Sequence, residues 1–467
     1  MLNYKVKIGL IPVRRDTTPR KGIFNWGKAE ERGKKNIKYI REHFTDENVS
    51  FIDLEGITES QLLFSEDDVP AVVEKFRAEG VDAVLFINAN FGPEETVALT
   101  AQKLGKPVMI WAPIDDEFEP DGARWTDSQC GLFALSRQLQ RRNIKFSYIE
   151  TCAVEDEPFK KGFKDFIAVA CMVKNFKDMR VGQMGLRPKP FCSVMFNDAE
   201  LLQKFGIQIV PINNVVMRNK FDEIMEENSK ELNDGTKLIL DRYEAQDDFT
   251  EEKAKKVYAL VEVYKWMFAE YKLDVVCAEC WSALMADFGG IGVMPCIAYS
   301  ILADMGYIVS CESDMNGVLT MALLSCASLG KNPPFFGEFT VRGLHDRNAE
   351  LIWHCGPFAY SLKKEGEQAK CCDQKQWFPV KDGHYTVSRL DQDNGEYKLF
   401  IGEFDTTDGP YTTGTYLWAK LDDFAKWERK LIEGPYIHHM AEIEGSYGDA
   451  FKEFCKYIPG ITADPVE

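Results

Sequence analysis

Short apolar runs alternate with amphipathic stretches through the first third of the chain, and this alternation narrows the fold more than any other feature. Residues 5–12, 49–53, 83–87, 107–111 and 145–149 read as strands. Between them, residues 28–43, 69–80, 94–104 and 128–142 carry apolar side chains at helical spacing. A strand–helix repeat of this kind predicts a parallel sheet covered by helices on both faces. The working loops of such sheets lie beyond the carboxyl ends of the strands. Here those loops are Arg14-Arg15-Asp16, Asn88-Ala89-Asn90-Phe91-Gly92 and Pro113-Ile114-Asp115-Asp116.

At 467 residues the chain exceeds one ordinary core, so two to four domains are expected. A second α/β pattern starts near Arg180, with strands at 180–184, 208–211 and 274–278 and a long helix at 251–271. A helix at 294–305 leads into a short strand, Tyr307 to Val309. After Pro333-Pro334 the pattern changes. Residues 384–390 and 397–403 alternate and are separated by Gly, Asp and Asn, which predicts antiparallel β structure. A helix near 447–457 closes the chain. The expected architecture is α/β: two Rossmann-like parallel-sheet domains, 1–170 and 171–305, then a mixed, largely antiparallel β domain, 306–467.

The net charge of −18 argues against nucleic acid or an anionic membrane as partner, because phosphate-rich surfaces would repel it. Acidic balance otherwise serves solubility. The N-terminus runs straight into a strand without a charged and then apolar leader. No apolar run reaches the roughly 18 residues needed to span a bilayer. Thirteen cysteines, mostly in apolar surroundings, fit free thiols in a reducing cytoplasm better than a disulfide framework. The Cys277-x-x-Cys280 pair lacks a second such pair for a zinc site. Gly289-Gly290-Ile291-Gly292 lacks both the dinucleotide fingerprint and the P-loop lysine and reads as a turn.

Chemistry concentrates in a few acids and histidines. Glu279 ends the apolar strand Val275-Val276-Cys277-Ala278, where a carboxylate is costly unless a cation faces it; a metal or an arginine would serve. Glu312 and Asp314 follow the next strand. In an extended segment they would point the same way, and a divalent cation would relieve their repulsion. Asp314 would equally serve as cap of the helix that follows. His438 and His439 are adjacent, so their side chains diverge by about 100° on a helix or about 180° on a strand, and one of them at most suits a shared site.

Several segments resemble L-fucose isomerase and its L-arabinose isomerase-like relatives. They are Cys311-Glu-Ser-Asp-Met-Asn-Gly-Val-Leu-Thr-Met321, Pro334-Phe-Phe-Gly-Glu-Phe-Thr340, Leu351-Ile-Trp-His-Cys-Gly-Pro357 and His439-Met-Ala-Glu-Ile-Glu-Gly-Ser-Tyr-Gly-Asp-Ala-Phe451. Lys7-Ile-Gly-Leu-Ile-Pro12 and Arg20-Lys-Gly22 look like the family's opening, so the resemblance runs the length of the chain. It departs at Ile11, where the family has an arginine, and at Glu338, where an aspartate is common. The resemblance implies a divalent metal, Mn²⁺ or else Mg²⁺ or Co²⁺, held by Glu279, Asp314 and His439 in the C-terminal part of the fold. It implies a free sugar (fucose, arabinose or xylose type) as substrate, and a homo-oligomer, a hexamer in one form, whose first domain completes a neighbour's site.

Interconverting an aldose and a ketose moves a proton between C1 and C2 through a cis-enediol. Metal at the two oxygens stabilises the developing charge, and carboxylates move the protons. Glu279 and Asp314 are the expected catalytic acids. Arg14, Arg20, Glu312, His354 and Trp418 are the expected sugar contacts. Two other readings use the same residues or fewer: a metal-dependent lyase or epimerase acting on a sugar acid or modified sugar, and a non-catalytic cytoplasmic sugar-binding protein.

Overall fold

The computed structural model describes residues 1–15, 26–246, 249–280, 284, 291–372 and 374–466. Arg20, Asp16 and the Gly289-Gly290 pair lie outside the described residues. The chain divides into two compact units: Tyr4–Lys174 with Lys456–Ile458, and Met1–Asn3 with Asn175–Cys455 and Pro459–Glu467.

In the first unit, strands β1 (Val6–Val13), β2 (Val49–Ile52), β3 (Ala83–Asn88), β4 (Val108–Pro113) and β5 (Ser147–Cys152) form one sheet in the order β2-β1-β3-β4-β5. Every pairing is parallel. All six residues of β3 and all six of β4 are buried, as expected for strands covered on both faces. Helices Val69–Ala78, Glu94–Leu104 and Ser128–Arg141 lay apolar stripes on the sheet, packing Val72, Phe76, Val97, Leu132 and Leu135 against Val84, Phe86 and Ile110. Burying each such side chain contributes about 1.5–3 kcal/mol.

The second unit holds two sheets. Strands β6 (Arg180–Met184), β7 (Gln208–Ile212), β9 (Val275–Ala278) and β10 (Val309–Ser310) form a four-stranded parallel sheet in the order β10-β9-β6-β7, with β8 (Glu244–Ala245) belonging elsewhere. Since β10 pairs with β9, this sheet continues past residue 305. The other sheet contains β8, β11 (Phe335–Arg342), β12 (Ala349–His354), β13 (Lys370–Cys372), β14 (Lys375–Pro379), β15 (His384–Asp393), β16 (Glu396–Thr407), β17 (Thr415–Lys420), β18 (His439–Glu444) and β19 (Ile461–Pro465). Its central strands run antiparallel in the order β16-β15-β18-β11-β12-β17. The far end of β16 pairs with β17, at Asp405–Lys420 through Thr407–Trp418, and closes these six strands into a ring. Parallel pairings of β19, β14 and β8 at the margins make the sheet mixed.

Helix Met315–Ala327 is buried along its whole length and packs on β15 and β18. It explains why residues 384–390 do not alternate between core and water as their sequence suggests. Tyr385 to Leu390 are all buried, since the helix covers one face of β15 and the ring covers the other. No helix among the described residues is long and apolar enough to cross a membrane.

Candidate active site

The carboxyl ends of β9 and β10 and the starts of β11 and β18 bring the functional side chains together in the second unit. After β10 the backbone turns sharply: Glu312 (φ 62°) and Ser313 (φ 52°) are both left-handed. Each such residue costs about 1–2 kcal/mol, and the Ser313 amide offsets part of this by donating to the Ala278 carbonyl at 3.0 Å. The segment is therefore not extended, and Glu312 and Asp314 do not point the same way. They meet His439 on opposite ring nitrogens: Asp314 Oδ2 at 3.0 Å from Nδ1, Glu312 Oε2 at 3.0 Å from Nε2.

Asp314 does two structural jobs. Its Oδ1 accepts from the Gly317 amide at 2.8 Å and caps helix Met315–Ala327. Both oxygens also accept from Arg389 on β15, at 2.9 and 3.3 Å. Arg389 is 1% exposed, and its Nε donates to Asp391 at 2.8 Å. Burial works against charge on Asp314, but Arg389 and His439 hold its carboxyl well below the usual carboxylate range. With Nδ1–H donated to Asp314, His439 turns Nε2 toward Glu312 and toward Glu338, 3.6 Å away.

Glu338 and His354 complete the cluster. Glu338 on β11 lies opposite both His439 on β18 and Trp353 on β12, which sets His354 beside it. His354 Nε2 is 3.8 Å from Glu338 Oε1. Its other nitrogen sits 3.3 Å from the Cys355 Sγ and 2.9 Å from the Cys355 amide nitrogen. Burial alone would lower the His354 pKa, but Cys355, Glu338 and Glu312 push it up to about 9. Burial likewise opposes charge on Glu338, yet His439 and His354 hold its carboxyl below the ordinary range. The Phe336 ring packs against both imidazoles, at 5.5 and 4.9 Å between centroids.

Donor atoms converge here in two sets among the described residues, Glu312–Glu338–His354 and Glu338–His438–His439. Glu312 Oε2, His354 Nε2 and His439 Nε2 are buried with no hydrogen-bond partner. Glu312 and His439 are within ion-pair distance without the alignment of a hydrogen bond. A buried polar atom left unsatisfied costs about 1–3 kcal/mol, and a cation in either set would satisfy part of this. Carboxylates and imidazoles, which make up both sets, suit such an ion. His438 is the exposed member of the histidine pair and His439 the buried one.

The remaining expected site residues fall elsewhere. Glu279 is buried at the end of β9, and its Oε2 accepts from the Leu186 amide at 3.1 Å and Asn214 Nδ2 at 3.2 Å. It belongs to neither donor set. Trp418 packs with Ala349, Leu351 and Tyr416 and donates to the Pro410 carbonyl at 2.9 Å. Arg14 lies in the first unit, its guanidinium 3.5 Å above the Phe64 ring. Glu338 and Arg389 were not marked as functional by sequence reasoning. For Glu338 the signal was present, as an acid in a family segment at the start of a strand. Arg389 carried none, because a basic residue in an alternating strand reads as solvent-facing.

The N-terminal domain of fucose/sulfoquinovose isomerases matches residues 9–177. A sulfoquinovose isomerase of Alkalicoccus urumqiensis is 24% identical over 362 residues, covering 75% of this chain and 78% of that protein. One from Priestia aryabhattai is 23% identical over 411 residues, covering 84% of this chain and 87% of its own. Among solved structures, a periplasmic solute-binding protein of Actinobacillus succinogenes with bound D-allose aligns at a TM-score of 0.18 and 12% identity, over 69% of this chain and 92% of its own; that is too low to bear on the fold. The proteins that this chain resembles over most of its length are sugar isomerases. Within that class, residues 9–177 of the chain resemble the N-terminal domain of the fucose/sulfoquinovose isomerase family.

Proposed function

We propose that the chain is a metal-dependent isomerase whose substrate is a hexose carrying an anionic group far from the carbonyl, with sulfoquinovose the first candidate. The metal reading is supported most by the three buried, unpartnered atoms of Glu312, His354 and His439 facing Glu338. The substrate reading is supported by the relatives, which act on that sugar by name. Glu312, Glu338, His354 and His439 would hold the divalent ion, manganese before magnesium or cobalt. When bound, it supplies Lewis-acid stabilisation of negative charge on the sugar oxygens.

This assignment moves the acid–base work from Glu279 and Asp314 to Glu312 and Glu338. Both Asp314 oxygens are taken up by Arg389, so that carboxylate is an anchor that orients His439. Glu279 is engaged by the Leu186 amide and Asn214. Glu312 and Glu338 instead present carboxylates within reach of the same imidazole. One of them removes the proton from C2 and returns it to C1, and the other passes the hydroxyl proton between O2 and O1. Phe336 walls the histidines and keeps water from the enediol. By resemblance the active form is a homo-oligomer, and the thirteen free cysteines fit a reducing cytoplasm.

Ketose formation from sulfoquinovose, measured after chelation and after adding back Mn²⁺, tests the reading. Expected is loss of turnover on chelation and recovery with metal, with Glu312→Gln and Glu338→Gln slowed by about 10²–10⁴-fold. Full turnover by the chelated enzyme, or by either variant, would overturn it.

A further inference from the structure

The geometry points to Arg187 as the residue that reads the anionic group of the substrate, with Glu279 positioning the loop that carries it. This rests on the proposed isomerase reading. Strands β6, β9 and β10 run parallel, so the loops that follow them gather at one edge of their sheet. Glu279 and Glu312 follow β9 and β10. The segment after β6, Gly185-Leu186-Arg187-Pro188-Lys189-Pro190-Phe191, shares that edge, and the Phe191 ring meets the His439 imidazole edge-on at 6.1 Å. The loop therefore sits against the proposed metal cluster.

Its cation is held in reserve. Arg187 Nη1 reaches the carbonyls of Pro188 and Lys189 at 3.5 and 3.4 Å and Cys192 Sγ at 3.9 Å, all long contacts to neutral atoms. No carboxylate pairs with it among the described residues, in a chain with 74 acidic residues against 56 basic ones. Exposed Lys189 adds a second positive charge two residues on. A guanidinium without a carboxylate partner on this loop supplies the positive charge that an anionic sugar needs. A guanidinium offers several donors in a planar fork that matches the oxygens of a sulfonate.

Glu279 explains why the loop stays there. Its Oε2 accepts from the Leu186 amide, the residue before Arg187, and from Asn214. Gly185 has φ +72°, and a Cβ added to it would lie 2.4 Å from that same oxygen. The carboxylate thus occupies the space a side chain would take, and the two prolines limit the rest of the loop.

Kinetics on a matched pair of sugars test this: sulfoquinovose and its uncharged counterpart 6-deoxyglucose, for wild type, Arg187→Ala, Arg187→Lys and Glu279→Ala. Expected for Arg187→Ala is a KM for sulfoquinovose raised about 10- to 100-fold, the range for losing a hydrogen bond to a charged group. Its kcat stays within a few-fold of wild type, and kcat/KM for 6-deoxyglucose does not change. Arg187→Lys recovers part of the loss. Glu279→Ala raises the same KM while retaining bound Mn²⁺ and kcat. A sulfoquinovose KM unchanged in Arg187→Ala, or an equal loss on both sugars, would overturn the assignment. Metal loss and collapse of kcat in Glu279→Ala would overturn its positioning role. If the wild type isomerised neither sugar, the isomerase reading would fall. Calorimetric binding of sulfoquinovose would then decide Arg187 separately: affinity lost in Arg187→Ala supports it, and equal or absent binding in both proteins overturns it.

Discussion

Glu350 shows what a single buried acid does to stability. It stands on β12 opposite Arg342, is 4% exposed, and burial pushes its pKa up to about 7 even though the Thr340 backbone and Arg342 favour its charge. An unfolded glutamate titrates near 4.3. The folded chain therefore holds the proton more tightly than the unfolded one, so this group's contribution is full at low pH and is lost as pH rises from about 4.3 to about 7. The loss is on the order of 3 kcal/mol. Glu350→Gln removes it, and is expected to be more stable than wild type at pH 8 and equal to it near pH 4. Urea midpoints at the two pH values check this, and the same difference at both would contradict it. Arg389 is the complementary case, a buried cation kept charged because Asp314 and Asp391 face it. A buried pair of this kind is expensive to break from one side. That is why Asp314 reads here as an anchor.

At the scale of elements, the turn between β10 and helix Met315–Ala327 stores the strain that aims Glu312. Ser313 has φ +52°, is 1% exposed, and its hydroxyl is buried without a partner. Ser313→Gly is expected to be more stable than Ser313→Ala by about 1 kcal/mol in chemical denaturation, reversing the usual preference for alanine, because only glycine adopts this backbone without cost. An alanine variant as stable as the glycine variant would show that the turn is unstrained. Most elements were legible in the sequence: the strands of the first sheet and helix 251–271 fall within a few residues of where periodicity puts them. The alternation expected of β15 was not, because burial of both its faces depends on helix Met315–Ala327 some sixty residues earlier. Strand β19 was not expected either, its Ile-Thr-Ala-Asp-Pro carrying too little apolar pattern.

At the scale of the molecule, a metal that binds the folded chain and not the unfolded one stabilises it by mass action, about 2.7 kcal/mol at a hundred times its dissociation constant. Chelated protein is therefore expected to melt at a lower temperature than protein with added Mn²⁺. His439→Ala is expected to melt at the same temperature with and without it. Calorimetric scans check both, and a metal-dependent shift that persists in His439→Ala would remove His439 from the site. What the sequence by itself determined is the local part: strand and helix periodicity, the left-over acids at strand ends, and the Asp314 and His439 letters that carry the family resemblance. Those signals are local because hydrophobic spacing and capping act within a turn or a strand. Only the tertiary structure decided which atoms share one space. The β16–β17 closure, the pairing of β11 with both β12 and β18, and the reach of Arg389 to Asp314 across 75 residues bring Glu312, Glu338, His354 and His439 together. The same folding sets Arg389 against Asp314 and the Leu186 amide and Asn214 against Glu279, partners that arrive from distant parts of the chain and that no local pattern announces.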